Sequence, residues 1–294
     1  MRADARRLTE ARLTLTGDRA LVIGRRTLVM GVVNVTPDSF YPGSRTPRVE
    51  DAVERALALV AAGADIIDIG GESTRPGSTE VALHDEIARV LPVVEAIRKV
   101  SSAVLSVDTR RAEVAREAIR AGADIVNDVS ALSADPGMAA VVAQSGAVVV
   151  LMHMRGNPTN MQEKASYDDV LLEIKAELGV RIAVAIRAGI HTDRIWLDPG
   201  LGFAKTPRQC LEIVRRLDEL QVFERPILIG ASRKGFVGKV LAEPLPERRL
   251  EGSLAVAAIA AMKGAAVIRT HDVGETVRVV RVVDAIRDPE HGEI

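Results

Sequence analysis

The sequence predicts an α/β protein closed into a (β/α)8 TIM barrel, a single domain with a short N-terminal β-hairpin across the barrel floor. Three observations predict it. Short runs rich in Val, Ile and Leu recur along the 294 residues, separated by stretches of helical periodicity. Glycines recur where those helical stretches end, just ahead of the next apolar run. No internal segment rich in Pro, Gly or Ser divides the chain, so one domain is the simpler reading.

The candidate strands are 28–35, 65–69, 103–107, 124–127, 147–152, 194–197, 226–229 and 265–269. Continuous apolar runs of this kind suit parallel strands buried on both faces. Eight strand–helix units favour a closed barrel over the alternative, a doubly wound open sheet. Among the helical stretches, one follows the acidic pair Glu50-Asp51 and carries Val53, Leu57, Val60 and Ala61 as its apolar stripe. Another continues through Ile174, Leu178, Ile182 and Ile186. Ala62-Gly63-Ala64-Asp65 is echoed by Ala121-Gly122-Ala123-Asp124, and Gly146, Gly189 and Gly264 stand in similar settings. Each of these glycines is predicted to end a helix in the left-handed conformation. Asp65 and Asp124 then begin strands at the floor. Residues 1–26 precede the barrel, which is assigned to 27–288; in that extension Leu13, Leu15, Leu21 and Ile23 flank a Gly17-Asp18 turn.

Composition narrows the function. Hydrophobic residues make up 47% and aromatics 2%, and 39 Lys and Arg nearly balance 40 Asp and Glu. Nothing in that balance attracts nucleic acid or an anionic membrane, and a surface for stacking single-stranded bases lacks its aromatics. The lone Cys210 excludes an internal disulfide. A charged N-terminus and the lack of a long uncharged apolar run predict a cytoplasmic protein without a membrane segment.

Polar residues gather where the predicted strands end. Asn34 to Phe40 follow the first strand, 70–77 the second, Asp108-Thr109-Arg110 the third and Asn127-Asp128 the fourth. The remaining ends are Met152-His153-Met154, Asp198 to Phe203, Ser232-Arg233-Lys234 and Arg269 to Asp272. A barrel brings all of them to one rim. Asp108, Asn127 and Asp198, costly to bury unpaired, would pair with a flat heterocycle bearing ring donors and acceptors. Arg75, Arg269 and His271 would form a cationic corner for a phosphate or pyrophosphate. The loops 34–48 and 70–79 look like covers. Simpler structural roles exist for some of these groups. Asp38-Ser39 could cap a helix, Arg233-Lys234 could be solvated charges, and His153 reads best as a hydrogen-bonded core histidine. Gly200-Leu201-Gly202 lacks the third glycine of a dinucleotide fingerprint, and no Cys/His zinc spacing occurs.

Asn-Val-Thr-Pro-Asp-Ser-Phe at 34–40 and Gly-Gly-Glu-Ser-Thr-Arg-Pro-Gly at 70–77 resemble the two signature loops of dihydropteroate synthase. The resemblance runs in order through Ser106 to Thr109, Asn127 to Val129, Leu151 to Met154, Asp198 to Phe203, Ser232 to Lys234 and Arg269 to Val273. It implies that a pterin pyrophosphate condenses with 4-aminobenzoate after dissociative loss of pyrophosphate. It further implies that Asp108, Asn127, Asp198 and Lys234 hold the pterin, with Met152, Val129 and Phe203 against it. Asn34, Thr74, Arg75, Arg269 and His271 would take the pyrophosphate, with Mg2+ near Asn34. Phe40, Thr74, Pro76, Phe203, Lys234 and Gly235 would shape the 4-aminobenzoate slot, where sulfonamides compete. The resemblance assigns the chemistry to Asp108, Lys234, Arg269, Asn34 and Asp38. It also implies a homodimer through the late helices, where Ala255, Ala257, Ala258 and Ala261 lie near Met262. Gly235, where many relatives carry serine, and Tyr41-Pro42-Gly43 depart from the family pattern beside the second-substrate slot. Two other readings are a pterin-binding methyltransferase that serves a corrinoid protein and a non-catalytic relative of the synthase.

Overall fold

A computed structural model describes residues 10–17, 19–36, 49–73 and 80–289. Strands β1 (Ala11–Thr14) and β2 (Ala20–Ile23) pair antiparallel, with Leu13 opposite Leu21. This is the expected hairpin. Eight parallel strands follow: β3 (Leu28–Asn34), β4 (Ile66–Gly70), β5 (Val104–Asp108), β6 (Ile125–Asp128), β7 (Val148–Met152), β8 (Ile195–Asp198), β9 (Leu228–Gly230) and β10 (Val267–Thr270). Their order is β8-β7-β6-β5-β4-β3-β10-β9. A single parallel bridge, Leu197 to Ile227, joins the two ends, and the Leu197 N–H donates to the Pro226 carbonyl at 2.9 Å. The open doubly wound sheet is thereby set aside.

The helices are α1 (Val49–Ala61), α2 (Leu83–Val100), α3 (Ala112–Arg120), α4 (Met138–Ser145), α5 (Val170–Arg187), α6 (Pro207–Arg215), α7 (Gly235–Leu241), α8 (Leu250–Met262) and α9 (Val273–Arg287). Each strand of the barrel is followed by a helix, and β9 by both α7 and α8. The five expected glycine stops are left-handed, with φ of +100° at Gly63, +112° at Gly122, +67° at Gly146, +93° at Gly189 and +91° at Gly264.

Two expected stripes are corrected. In α1 the buried face is Ala52, Ala56 and Leu59; Val53 and Val60 are half-buried and Leu57 is exposed. Small residues take the contact because α1 lies close on the sheet: a Cβ at Gly31 of β3 would stand 3.1 Å from Leu59 Cδ1. In α5 the stripe holds through Ile174, Leu178 and Ile182, but Ile186 is exposed. On α8, Ala257 and Ala261 pack on the barrel, whereas Ala255 is exposed and Ala258 half-buried.

The core has two layers. One lies between sheet and helices; the other fills the barrel below its rim, with Met30, Ile66, Val104, Ile125, Val148, Val150 and Trp196 meeting Leu13, Leu15, Leu21 and Ile23 from the hairpin segment. Each of those four side chains contributes roughly 1.5–3 kcal/mol by leaving water. Charge fastens the plug. Asp124, at the start of β6, accepts Arg19 Nη2 at 2.8 Å, Arg98 Nη2 at 3.1 Å and Thr16 Oγ1 at 3.1 Å. Asp65 accepts the Val29 N–H at 2.8 Å and pairs with Arg26. Both aspartates stand at the floor, as expected. The apolar layers thus end below the rim, and the polar strand ends lie above them.

Candidate active site

Asn34, Gly70, Asp108, Asp128, Met152, Asp198, Gly230 and Thr270 are the last residues of the eight barrel strands. Register sets Asn34 opposite Gly70, Gly70 opposite Asp108, and Asp108 opposite Asn127. Glycine leaves room there: a Cβ at Gly70 would lie 3.5 Å from Asp108 Cβ and 3.9 Å from Asn34 Oδ1.

Arg269 of β10 occupies the middle. Its Nε donates to Asp68 Oδ2 at 2.7 Å and its Nη2 to Asp108 Oδ2 at 2.8 Å. Asn127 Nδ2 donates to the same Asp68 oxygen at 3.2 Å. Among the described residues, Asp68 Oδ1, Asp108 Oδ1 and Ser106 Oγ are buried without a hydrogen-bond partner. Each such group costs about 1–3 kcal/mol unless a donor reaches it. Burial pushes the Asp108 carboxyl up to about 7; Arg269 opposes the rise, and Asp68, Glu86 and Asp128 add to it. Burial works against the charge of Arg269 as well, but Asp68 and Asp108 hold its proton more firmly than usual. Of the cationic corner expected of Arg75, Arg269 and His271, Arg269 is set between two carboxylates and Arg75 lies outside the described residues.

Asp198 and Lys234 form the opposite wall. Asp198 Oδ1 accepts the Gly200 N–H at 2.7 Å. Burial raises this carboxyl, and Lys234 counters. Lys234 precedes α7; its Nζ donates to the Leu201 carbonyl at 2.5 Å and sits 4.8 Å from the centre of the Phe203 ring. Burial draws its ammonium down to about 8, against the pull of Asp198. At Gly230 a Cβ would stand 3.9 Å from Arg269 Cδ and 4.0 Å from Lys234 Nζ, so the two cations approach over a residue without a side chain. The buried group around Arg269 and the Asp198–Lys234 wall therefore share one cleft.

The other expected residues fall as follows. His271 Nδ1 lies 3.0 Å from Ser232 Oγ, and Arg55 Nη2 donates to the His271 carbonyl at 3.1 Å. Met152 and Val129 are buried. Gly235 opens α7, and a Cβ there would touch none of the described residues within 4 Å, so the backbone does not demand glycine. Asp38, Phe40, Thr74, Arg75, Pro76 and Tyr41-Pro42-Gly43 lie outside the described residues, as does most of each expected cover loop. Arg233 is no free surface charge: its Nε donates to Asp272 Oδ2 at 3.1 Å. His153 is the expected core histidine, 4% exposed, with Nε2 3.0 Å from Glu177 Oε2.

Sequence reasoning missed Asp68 and Lys205, both buried. Asp68 had a signal, a carboxylate inside the apolar run Ile66-Ile67-Asp68-Ile69. Lys205, beside the Thr206-Pro207 helix start, had none. Among the described residues no three His, Cys, Asp or Glu side chains group to hold a metal ion, and no helix is long and apolar enough to cross a membrane. A hollow of about 280 Å3 lined by Gly146, Gly189, His191 and Arg194 carries none of the rim residues.

Comparison with known proteins adds independent findings. Residues 30–271 match the family model described as pterin binding enzyme. The dihydropteroate synthase of Escherichia coli (strain K12) is 49% identical over 257 residues, which cover 87% of this chain and 90% of that protein. The dihydropteroate synthase of Synechocystis is 43% identical over 263 residues, 90% of this chain and 91% of the other. Among solved structures, Xanthomonas albilineans dihydropteroate synthase with 4-aminobenzoic acid superposes with a TM-score of 0.89 at 43% identity, covering 95% of this chain and 99% of that one. The Yersinia pestis dihydropteroate synthase with a sulfonamide drug gives a TM-score of 0.88 at 44% identity, covering 94% of this chain and 99% of the other.

Proposed function

The chain belongs to the dihydropteroate synthase family, and from that premise we propose how its own residues carry the family's reaction. It condenses 6-hydroxymethyl-7,8-dihydropterin pyrophosphate with 4-aminobenzoate, giving 7,8-dihydropteroate and pyrophosphate. The observation that carries the assignment of roles is the pair of buried carboxylate oxygens on Asp68 and Asp108 that no described residue pairs, next to Asn127 and Arg269. A pterin edge offers the amino and ring N–H donors that such oxygens require.

The ring is held by Asp108, Asn127, Asp198 and Lys234, with Asp68 beside Asn127 and with Met152, Val129 and Phe203 against its faces. The bond from the pterin methylene carbon to the pyrophosphate oxygen breaks, and its electron pair leaves with the pyrophosphate. The ionised Asp108 stabilises the cation that remains. The aryl amine attacks the methylene carbon with its own lone pair and then loses a proton, so no activated protein nucleophile is needed. Asn34, Arg269 and His271 receive the pyrophosphate, together with Thr74 and Arg75. Mg2+ fits this arrangement, because it takes one or two protein oxygens and otherwise keeps water and substrate phosphates. Asn34, whose Oδ1 lies beside the Gly70–Asp108 strand ends, would supply such an oxygen. When bound there, the ion would offset charge on the leaving group. Phe203, Lys234 and the Gly235 amide, with Phe40, Thr74 and Pro76, form the 4-aminobenzoate slot, where sulfonamides compete. The family resemblance adds Asp38 to the chemical machinery.

A turnover assay with both substrates and Mg2+, with and without a sulfonamide, tests this reading. Well-folded enzyme that yields no dihydropteroate would overturn it. In parallel, Asp198→Ala is expected to weaken pterin binding by about 2–3 kcal/mol, roughly 30- to 150-fold in Kd by calorimetry. We further propose a cytoplasmic homodimer. Ile259, Met262, Val282 and Ile286, all exposed on α8 and α9, supply an apolar contact surface for it. Sedimentation at micromolar concentration is expected to return twice the chain mass; the mass of one chain would refute the dimer.

A further inference from the structure

Lys205 is a buried cation that the reaction above leaves without a task. It lies in the loop between β8 and α6 and is 3% exposed. Its Nζ approaches His153 Nδ1 at 3.0 Å, the His153 carbonyl at 3.2 Å and the Phe203 carbonyl at 2.9 Å. Three donors thus meet three acceptors, none of them a carboxylate. Burying an ammonium this way is costly, and burial draws Lys205 down to about 7. Packing alone does not call for it, since an unbranched apolar side chain would fill the space without that cost.

The acceptors Lys205 gathers belong to two walls of the cleft. His153 follows Met152 at the end of β7, and its N–H donates to the Asp198 carbonyl at 2.8 Å. Gly200, at φ +69°, presses on the same histidine: a Cβ there would stand 2.1 Å from the His153 carbonyl oxygen. On its front, the loop presents the Leu201 carbonyl and the Phe203 ring to the Lys234 ammonium. At its back, Lys205 ties the Phe203 carbonyl to His153. An ammonium donating to Nδ1 also leaves the histidine proton on Nε2, which faces Glu177.

We propose that Lys205 is a positioning residue: it straps the loop after β8 to the end of β7, and so holds Phe203 and Lys234 where they receive the two substrates. It touches neither substrate. The inference rests on the reading of Lys234 and Phe203 as substrate contacts.

Lys205→Met and Lys205→Gln, made in the full chain, test it by steady-state kinetics in both substrates and by thermal denaturation. Lys205→Met is expected to raise KM for 4-aminobenzoate at least tenfold, by a larger factor than kcat falls. Lys205→Gln, which keeps two donors, is expected to recover part of that KM. A fall in kcat at unchanged KM, the mark of a smaller folded fraction, overturns the proposal. Nitrogen-15 NMR of His153 in the unaltered enzyme provides a test that no variant's folding can spoil. The Nε2–H tautomer is expected, and an Nδ1–H tautomer overturns the strap. Lys234→Ala separates the two levels of the argument: if it changes KM for neither substrate, the site assignment itself fails, whatever Lys205 does.

Discussion

Asp108 joins the chemistry of single residues to pH. Its carboxyl titrates near 7 in the folded protein, against 3.8 for the ordinary side chain, chiefly because it is buried. The fold therefore holds this proton more tightly than the unfolded chain does. The group favours the fold as pH falls from 7 towards 4, and that advantage is lost as pH rises through 7. Catalysis needs the other form, the carboxylate facing a developing cation. The kcat/KM for the pterin substrate is thus expected to climb through pH 7 while stability of the free enzyme declines. Asp108→Asn should remove that climb and cost about 2.7–4 kcal/mol of transition-state stabilisation, roughly 100- to 1000-fold in kcat. An unchanged pH profile in this variant would count against the role. At this scale the sequence is readable where a polar residue ends an apolar run, as at Asp108, Asn127 and Asp198. It is unreadable where burial is created by other segments. Lys205 is covered because His153 and the Phe203 carbonyl close over it, and no local pattern encodes that meeting.

Among the elements, the hairpin shows how the floor holds the barrel together without touching the chemistry. Asp124 is wholly buried at its side chain and meets Arg19 from the hairpin turn and Arg98 from α2. Removing it leaves two partly buried guanidinium groups short of a partner. Asp124→Ala is expected to lower stability by about 3–5 kcal/mol in denaturant unfolding, with KM for both substrates unchanged. A variant of normal stability would show that these ion pairs do not fasten the floor, and one with altered KM that floor and rim are not separable. Elements were legible where a backbone requirement marks them. The glycine stops and the leucines around the Gly17 turn are local signals. The face of α1 was not legible, because Ala52 and Ala56 are weak hydrophobic markers. The close approach that selects them depends on Gly31 in a different element.

For the whole molecule, order along the chain becomes order around a ring, and this made the fold and the site readable together. Eight strand ends in succession, each bearing polar residues or followed by them, have one rim as their common destination. The sequence could not indicate how unevenly the ring is joined. Seven neighbouring strand pairs share a ladder, while β8 and β9 meet through the bridge from Leu197 to Ile227. Asp198 ends one side of that junction and Lys234 follows the other. A pterin gripped by both is a rivet across the weakest joint of the hoop. At one hundred times its Kd, such a ligand adds about 2.7 kcal/mol to global stability. Amide exchange at Leu197, whose N–H bonds to the Pro226 carbonyl across that junction, should slow more than exchange within β4 and β5. Equal slowing around the ring would mean that the hoop was already closed before the rivet arrived.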